Sequence, residues 1–336
     1  MKPRPVSTGQ ILVVATHGIG DLVMTAKVTR LIIEAGYNVS VLVAGKVERE
    51  VGLYLLPEAE CVALSSFGKN KLTRLLGVLW WMRRRKIDYA LAQYGVNPPL
   101  FSLLTFWGGA KRRIGWAGRF SWLNTYTLIE EEGHKVVETA KWLDYLGIDY
   151  GEDDLYWKCA DDVKSKKERR QVVIFGPSSF YLEKHKRWPP DKFAKLAQRI
   201  TRKGVNVEIL GSADERDYCD NIVRMSNSDN VFNRAGELSI SESFSRLQAA
   251  HAVVANCNAI SHMAAAVGVP VIGIYGPTDP HLTGPLCRNL VIVRTDKDCS
   301  PCYKKGYTTG CGDPACIEDI SVDVVYEALC GVLEFL

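Results

Sequence analysis

Short apolar runs alternate along the chain with longer segments of helical periodicity. The first run, residues 11–15, is rich in β-branched residues, and residues 21–35 then place apolar side chains at helical spacing up to Gly36. A second short run at residues 39–44 completes a strand–helix–strand unit. This alternation predicts an α/β protein whose parallel sheets carry helices on their faces.

The same criteria predict further elements and a division of the chain. Strands are expected at residues 88–94, 171–176, 205–211, 251–256 and 269–276, and helices at residues 72–86, 190–203, 213–226, 239–250, 258–268 and 322–335. The charged, aperiodic stretch 158–170 predicts a boundary between two doubly wound domains, 1–165 and 166–336. Two such domains facing across a cleft bind ligands beyond the carboxyl ends of their strands.

Composition narrows the class of protein. The chain has 336 residues, of which 47% are apolar and 24% charged, as expected for a soluble protein of two domains. No uncharged apolar run reaches the roughly 20 residues that span a bilayer. The basic N-terminus has no apolar core typical of a signal peptide, so the ten cysteines are expected to be reduced thiols of a cytoplasmic protein.

Positive charge is concentrated in one region. The formal net charge is +4, yet residues 61–129 contain eleven basic residues and one acidic residue. Such a field attracts nucleic acid, an anionic membrane or a phosphorylated substrate, although an ordinary solvated basic face is also compatible with it. Within it, Trp80 and Trp81 precede four basic residues. This predicts either a helix on an anionic membrane or a core-packing helix with a basic edge.

The loop after the first strand contains His17, Gly18, Gly20 and Asp21. A dinucleotide-binding fingerprint would need a third glycine where Val23 stands, and no acid ends the second strand, which argues against a nicotinamide dehydrogenase. What remains is a carboxylate at a helix N-terminus, beside glycines that allow close approach of a ligand. A first-turn acid that only complements the helix dipole is the alternative.

The second half offers groups suited to a nucleoside diphosphate. Ser178 and Ser179 follow one predicted strand, and Asn256 ends another and is expected to cap the next helix. That helix N-terminus would hold phosphate through its dipole and free amides, with the cations of residues 184–187 opposite.

Five sequence blocks carry a specific resemblance. These are GIGDLVMT (18–25), KRWP (186–189), LGSADE (210–215), NCNAISHMAAAVGVPVIGIYGPTDP (256–280) and CSPCY (299–303). Together they resemble glycosyltransferase family 9, the lipopolysaccharide heptosyltransferases. The resemblance covers most of the chain and implies a GT-B fold, with the acceptor on the first domain and the nucleotide sugar on the second. A nucleotide-sugar epimerase of similar architecture matches these blocks less well.

The resemblance also implies roles for individual residues. Asp21 matches the general base and Lys186 the cation that offsets charge on the departing diphosphate. The implied substrate contacts are Gly18 and Gly20 near the reacting centre, Ser178 and Ser179 on phosphate, Glu215 on ribose, and Asn258, Ala259, His262 and Thr278 around the diphosphate and sugar. Cys257 stands where the family usually has an aspartate, so either the donor differs from ADP-heptose or Asn256 or Asn258 makes that contact.

Four cysteines form a separate pattern. Cys299, Cys302, Cys311 and Cys316 follow the spacing C-x2-C-x8-C-x4-C. Four thiolates so spaced suit a structural zinc or iron ion, while free thiols or disulfides are the alternatives. The resemblance implies no cofactor for the chemistry itself.

The expected function is inverting transfer of a heptose-like sugar. The donor would be a nucleoside diphosphate sugar, ADP-heptose first, and the acceptor an anionic glycolipid, the inner core of lipopolysaccharide, at the cytoplasmic membrane face. The expected partners include a peripheral membrane contact and no nucleic acid. Transfer to a protein acceptor and a catalytically silent nucleotide-binding assembly protein are the alternatives.

Overall fold

A computed structural model describes residues 9–158, 171–179, 183–303 and 314–333. The chain divides into two compact units, Met1–Tyr156 and Trp157–Leu336. The boundary expected near residue 165 lies outside the described residues, and the two units are described separately.

The first unit is a parallel α/β sheet. Its strands are β1 (Gln10–Ala15), β2 (Asn38–Val43), β3 (Glu60–Ala63), β4 (Tyr89–Ala92), β5 (Arg112–Trp116) and β6 (Tyr126–Leu128). Its helices are α1 (Ile19–Glu34), α2 (Lys46–Leu55), α3 (Lys71–Arg85), α4 (Pro98–Trp107) and α5 (Lys135–Leu146). The strand order is β3-β2-β1-β4-β5-β6, and every neighbouring pair is parallel.

The second unit repeats this architecture. Its strands are β7 (Val172–Gly176), β8 (Asn206–Ile209), β9 (Val231–Asn233), β10 (Ala252–Asn256), β11 (Val271–Ile274) and β12 (Leu290–Val293). Its helices are α6 (Pro190–Thr201), α7 (Arg216–Ser226), α8 (Ile240–Ala249), α9 (Ala259–Ala266), α10 (Pro280–Thr283), α11 (Ala315–Glu318) and α12 (Val322–Val332). The order is β12-β11-β10-β7-β8-β9, again with parallel neighbours.

Both sheets have the doubly wound topology that the alternating pattern predicts. In each unit the first three strands of the chain extend the sheet towards one edge. The fourth strand pairs with the other side of the first strand, and the last two strands extend the sheet towards the opposite edge. The reversal falls between β1 and β4 in the first unit and between β7 and β10 in the second. Loops at the carboxyl ends of such strand pairs are where open α/β sheets bind ligands.

The central strands form the core of each unit, because helices cover both faces of the sheets. All residues of Ile11–Ala15 and of Ala252–Asn256 are at most 2% exposed. In the second unit Trp188 and Phe193 pack edge to face with their ring centroids 4.9 Å apart, and both are fully buried.

The most apolar stretch of the sequence folds as an ordinary helix of the first unit. It forms α4, which begins with two prolines and buries Phe101 and Leu104. Among the described residues, no helix combines the length and apolar character needed to cross a membrane.

Candidate active site

The loop after β1 presents the carboxylate of Asp21. Gly18 is the N-cap of α1, and Asp21 lies in the first turn of that helix. The Asp21 Oδ2 atom lies 2.7 Å from His17 Nδ1, and the aspartate side chain remains 27% exposed. The carboxylate therefore stands at the carboxyl end of the first strand, held by the contact with His17 and still accessible.

The neighbouring strand β4 fixes the position of His17. The buried side chain of Gln93 accepts a hydrogen bond from the His17 backbone N–H at 3.2 Å. Gly95 has φ +87°, and a Cβ atom there would lie 3.2 Å from the His17 ring. A glycine is needed at this position because the left-handed backbone and the close ring both disfavour a side chain.

A second polar group near Asp21 was missed by the sequence analysis. The Tyr94 hydroxyl donates to Glu130, and Lys135 Nζ lies 3.3 Å from a Glu130 oxygen and 4.0 Å from the centre of the Tyr94 ring. Burial raises the pKa of Tyr94, and the hydrogen bond to Glu130 and the charges of Glu130 and Asp21 raise it further. The phenol therefore stays protonated as a hydrogen-bond donor.

The end of β7 is packed tightly against the start of α9. A Cβ atom on Gly176 would lie 3.0 Å from Ile260, so glycine permits the close approach. Ser178 and Ser179, expected at phosphate, are both buried. The Ser179 hydroxyl donates to the Glu183 carbonyl at 2.8 Å and accepts from Arg187 Nε at 3.0 Å.

Two asparagines at the end of β10 tie this loop to the sheet, and one expectation about them is wrong. Asn258, not Asn256, caps α9, because its side chain accepts from the Ser261 N–H. Asn256 is the last residue of β10 and is fully buried. It accepts from the Trp188 N–H at 3.1 Å and donates to the Pro177 carbonyl at 2.6 Å.

The amide of Asn258 also binds the loop after β7. Its Nδ2 donates to the carbonyls of Gly176 and Ser178 at 2.8 and 2.7 Å. Both asparagine side chains thus hold the backbone of residues 176–178 in place. This weakens the expectation that either one replaces the family's aspartate as a sugar contact.

Lys186 lies in a buried ionic cluster. Its ammonium is 2.9 Å from a Glu183 oxygen and 3.8 Å from the centre of the Tyr303 ring, and the residue is 7% exposed. The Tyr303 hydroxyl donates to the other Glu183 oxygen at 2.7 Å. The cation is therefore positioned by two groups that the sequence analysis did not assign, although Tyr303 belongs to the CSPCY block.

Cys257 and Thr278 lie close to this cluster. Burial raises the pKa of the Cys257 thiol, while the charge of Lys186 and the hydroxyl of Thr278 partly offset that rise. The Thr278 hydroxyl is buried and meets the geometry of no conventional hydrogen bond with the described residues. The contact of Thr278 with a ligand stays a prediction.

The remaining predicted contacts follow β10 and β8, the two strands that flank β7 in the second sheet. Ala259 is the first residue of α9, and His262 lies buried in the same helix. Glu215 follows β8, where its Oε2 accepts from the Ser212 N–H at 2.8 Å. Ser178, Asn258, Lys186 and Cys257 are linked by the contacts above, whereas Glu215 is engaged in its own turn.

The four-cysteine pattern is only partly visible. Cys299 is exposed, Cys302 partly buried and Cys316 buried, while Cys311 lies outside the described residues. Within the described residues, no three His, Cys, Asp or Glu side chains come together as metal ligands. The described cysteines therefore do not form a metal site by themselves, and the tetrahedral site stays a prediction.

Solved structures share the fold of these doubly wound units. The structure of E. coli ADP-heptose lps heptosyltransferase II superposes with a TM-score of 0.75 over 97% of this chain and 98% of that one, at 22% identity. The dodecameric iron-containing heptosyltransferase TibC, in complex with ADP-D-beta-D-heptose, gives a TM-score of 0.58 over 98% and 78%, at 13% identity. The fold is that of the GT-B glycosyltransferases.

Sequence comparison gives the family. The model of glycosyltransferase family 9 (heptosyltransferase) matches residues 101–311, and the chain belongs to that family. Lipopolysaccharide heptosyltransferase 2 of Escherichia coli K12 is 25% identical over 318 residues, which cover 85% of this chain and 88% of that protein. The chain is thus a glycosyltransferase, as its sequence motifs predict.

Proposed function

We propose that this glycosyltransferase moves a heptose-like sugar, with inversion at the anomeric carbon, from a nucleoside diphosphate to the inner core of a lipopolysaccharide. ADP-heptose is the first candidate donor, because one solved relative is an ADP-heptose lps heptosyltransferase and TibC is in complex with ADP-D-beta-D-heptose. The acceptor assignment follows the lipopolysaccharide heptosyltransferases among the relatives.

The proposed reaction needs one base and one cation. An acceptor hydroxyl oxygen attacks the anomeric carbon, the bond from that carbon to the diphosphate oxygen breaks, and ADP leaves with the bonding electron pair. The hydroxyl proton passes to the Asp21 carboxylate. Lys186 and the free amides at the start of α9 offset the negative charge that develops on the diphosphate.

The position of Asp21 is the observation that carries this proposal. Its carboxylate stands at the β1 switch point, is partly exposed, and is held by His17. A residue needed only for the helix dipole gains nothing from this contact, because the dipole effect requires no partner side chain. A general base gains from it, since a fixed carboxylate can meet the incoming hydroxyl in one orientation.

Cys257 affects the proposed identity of the donor sugar, because it stands where the family usually has an aspartate. A thiol is a weak hydrogen-bond acceptor, and Asn256 and Asn258 are engaged with backbone groups. We therefore propose that the donor sugar, whether of ADP-heptose or of another nucleotide sugar, makes fewer hydrogen bonds at this position than it would with the family's aspartate. A thermal-shift screen of ADP-heptose and other nucleotide sugars tests this, since a ligand at 100 times its Kd adds about 2.7 kcal/mol of stability.

The basic region supports an anionic acceptor. Residues 61–129 carry eleven basic residues and one acidic residue, a field that favours a phosphorylated glycolipid over an uncharged polypeptide. Such an acceptor lies at the cytoplasmic face of the membrane, where we place the reaction.

The deciding experiment supplies ADP-heptose with inner-core acceptors that carry or lack phosphates, and determines the product's anomeric configuration by NMR. Inverted product, formed faster on the phosphorylated acceptor, supports the proposal. Retained configuration would overturn the mechanism. Transfer to polypeptide alone would overturn the acceptor, and donor binding without any transfer would indicate a silent nucleotide-binding protein.

A further inference from the structure

The exposed side of α3 carries an apolar stripe. Leu72, Leu76 and Trp80 lie on successive turns of this helix and are 65%, 58% and 59% exposed. Leu75, which lies beside the stripe, is 42% exposed. Side chains of this size are seldom left in water in a contiguous row unless another surface covers them.

Packing within the first unit does not account for this stripe. The helix is held on its unit by another side, where Val78 and Met82 are buried. Gly77 brings the backbone close to Phe67, so the helix is firmly seated there. The core-packing interpretation of the sequence thus explains one side of α3 and leaves the second apolar side unexplained.

Positive charge surrounds the stripe and extends it onto α4. The Arg84 guanidinium lies 4.2 Å from the centre of the Trp80 ring. Arg83 Nε donates to the Trp107 carbonyl at 3.1 Å, which joins the end of α3 to the end of α4. There Phe106 and Trp107 are 45% and 58% exposed. The helix α3 itself contains no acidic residue.

We propose that this surface docks on an anionic phospholipid bilayer. We call it the α3–α4 surface and define it by Leu72, Leu75, Leu76, Trp80, Phe106 and Trp107. Leucine and tryptophan side chains enter the boundary between headgroups and acyl chains, while flanking arginine and lysine bind the headgroup phosphates. The row of exposed apolar residues bordered by basic ones matches both requirements.

Charge decides between a bilayer and a second copy of the chain. Residues 61–129 hold eleven basic residues against one acid, so two copies meeting through this surface would bring like charges together. An anionic bilayer supplies the opposite charge and an apolar interior in the same layer. A bilayer therefore complements both the charge and the apolar character of this surface, whereas a second copy of the chain would repel its charge.

This docking goes beyond the proposed sugar transfer and does not depend on it. It requires neither donor nor acceptor, so it is tested with the full chain and vesicles alone. Failure of the vesicle experiment leaves the transfer reaction standing, and failure of the transfer assay leaves the docking standing.

The test is vesicle flotation. Vesicles of equal parts phosphatidylethanolamine and phosphatidylglycerol are compared with phosphatidylcholine vesicles, at low and high salt. The apolar variant is Leu76→Ser with Trp80→Ser, and the charge variant is Lys71→Gln with Arg84→Gln. The matched control alters exposed residues of the second unit, Val324→Ser with Arg202→Gln. All variants change exposed side chains, and unchanged melting temperatures confirm that they fold.

We expect wild-type chain and control to float with anionic vesicles and to bind phosphatidylcholine at least about ten-fold more weakly. The charge variant should lose about five-fold in affinity per removed basic residue, with a reduced salt dependence. The apolar variant should bind weakly at every salt concentration. Equal binding to both vesicle types, or wild-type binding by the apolar variant, would overturn the proposal. So would a wild-type dimer that the apolar variant dissociates without any loss of vesicle binding.

Discussion

The two units place a buried amide side chain at the same point of the same topology, and they use it differently. Gln93 follows β4 and Asn256 ends β10, the fourth strand of each sheet. Asn256 binds two backbone groups through both ends of its amide. Gln93 accepts from the His17 N–H, while its Nε2 has no hydrogen-bond partner among the described residues.

This difference separates a fixed loop from an open one. In the second unit, side-chain hydrogen bonds from Asn256 and Asn258 hold the backbone of Pro177 and Ser178, as expected of a preorganised anion site. In the first unit, Asp21 is held by His17, which is itself 56% exposed. Identical topology therefore supports a rigid site in one unit and an accessible carboxylate in the other, which matches the proposed donor and acceptor roles.

The largest effect is expected from Asp21→Asn. This change keeps the shape of the side chain but removes the basic oxygen, so kcat should fall about 10³-fold. Nucleotide-sugar binding, measured by calorimetry, should be retained because the proposed donor contacts lie on the second unit. Glu34→Gln at the other end of α1 is the control and should transfer sugar normally. Turnover by Asp21→Asn at the wild-type rate would contradict the base role.

The second largest effect is expected from Lys186→Met. It removes the buried cation while keeping most of the side-chain volume, and we expect kcat to fall about 10²-fold because the leaving diphosphate loses charge stabilisation. Lys184→Met, an exposed lysine two residues away, is the matched control. Steady-state rates of ADP release measure both. Equal rates for the two variants would show that Lys186 serves packing with Glu183 and Tyr303 alone.

A paired substitution measures the contrast between the amides directly. Asn256→Ala leaves the Trp188 N–H and the Pro177 carbonyl buried without partners, and should cost about 3 kcal/mol of unfolding free energy. Gln93→Ala should cost about 1 kcal/mol, since it frees a single N–H in a loop whose His17 side chain is largely exposed. Urea unfolding provides both values. Equal losses would remove the distinction between a fixed and an open loop.

Much of the fold was predictable from local pattern. The predicted strand 11–15 and helix 21–35 correspond to β1 and α1, because a buried parallel strand and an amphipathic helix leave strong periodic signals. Strands β3, β5 and β6 have three to five residues and include polar positions such as Glu60 and Arg112, so their apolar runs are too short to detect.

Site residues were predictable from the sequence only where neighbouring positions in one segment indicate them. Asp21 stands at the predicted strand end, and its catalytic role stays a prediction. The cap of α9 was misassigned because two asparagines flank Cys257, and the choice depends on where β10 ends. Glu183 and Tyr303 are 120 positions apart, and their contact arises from the tertiary fold alone.

The smallest effect is expected from metal removal. Asp21 accepts the proton and Lys186 supplies the positive charge in the proposed reaction, so transfer rates should change by less than about two-fold after chelation. Elemental analysis before and after chelation shows whether zinc or iron is bound, and Cys302→Ser, compared with the control Cys330→Ser, assigns any bound metal to the cysteine loop. A structural ion should lower the melting temperature when removed and leave kcat of the folded fraction intact. If chelation instead lowers kcat and added zinc or magnesium restores it, a metal takes part in the chemistry. The proposed reaction, with Asp21 of the first unit as base and Lys186 of the second as the cation, would then be wrong.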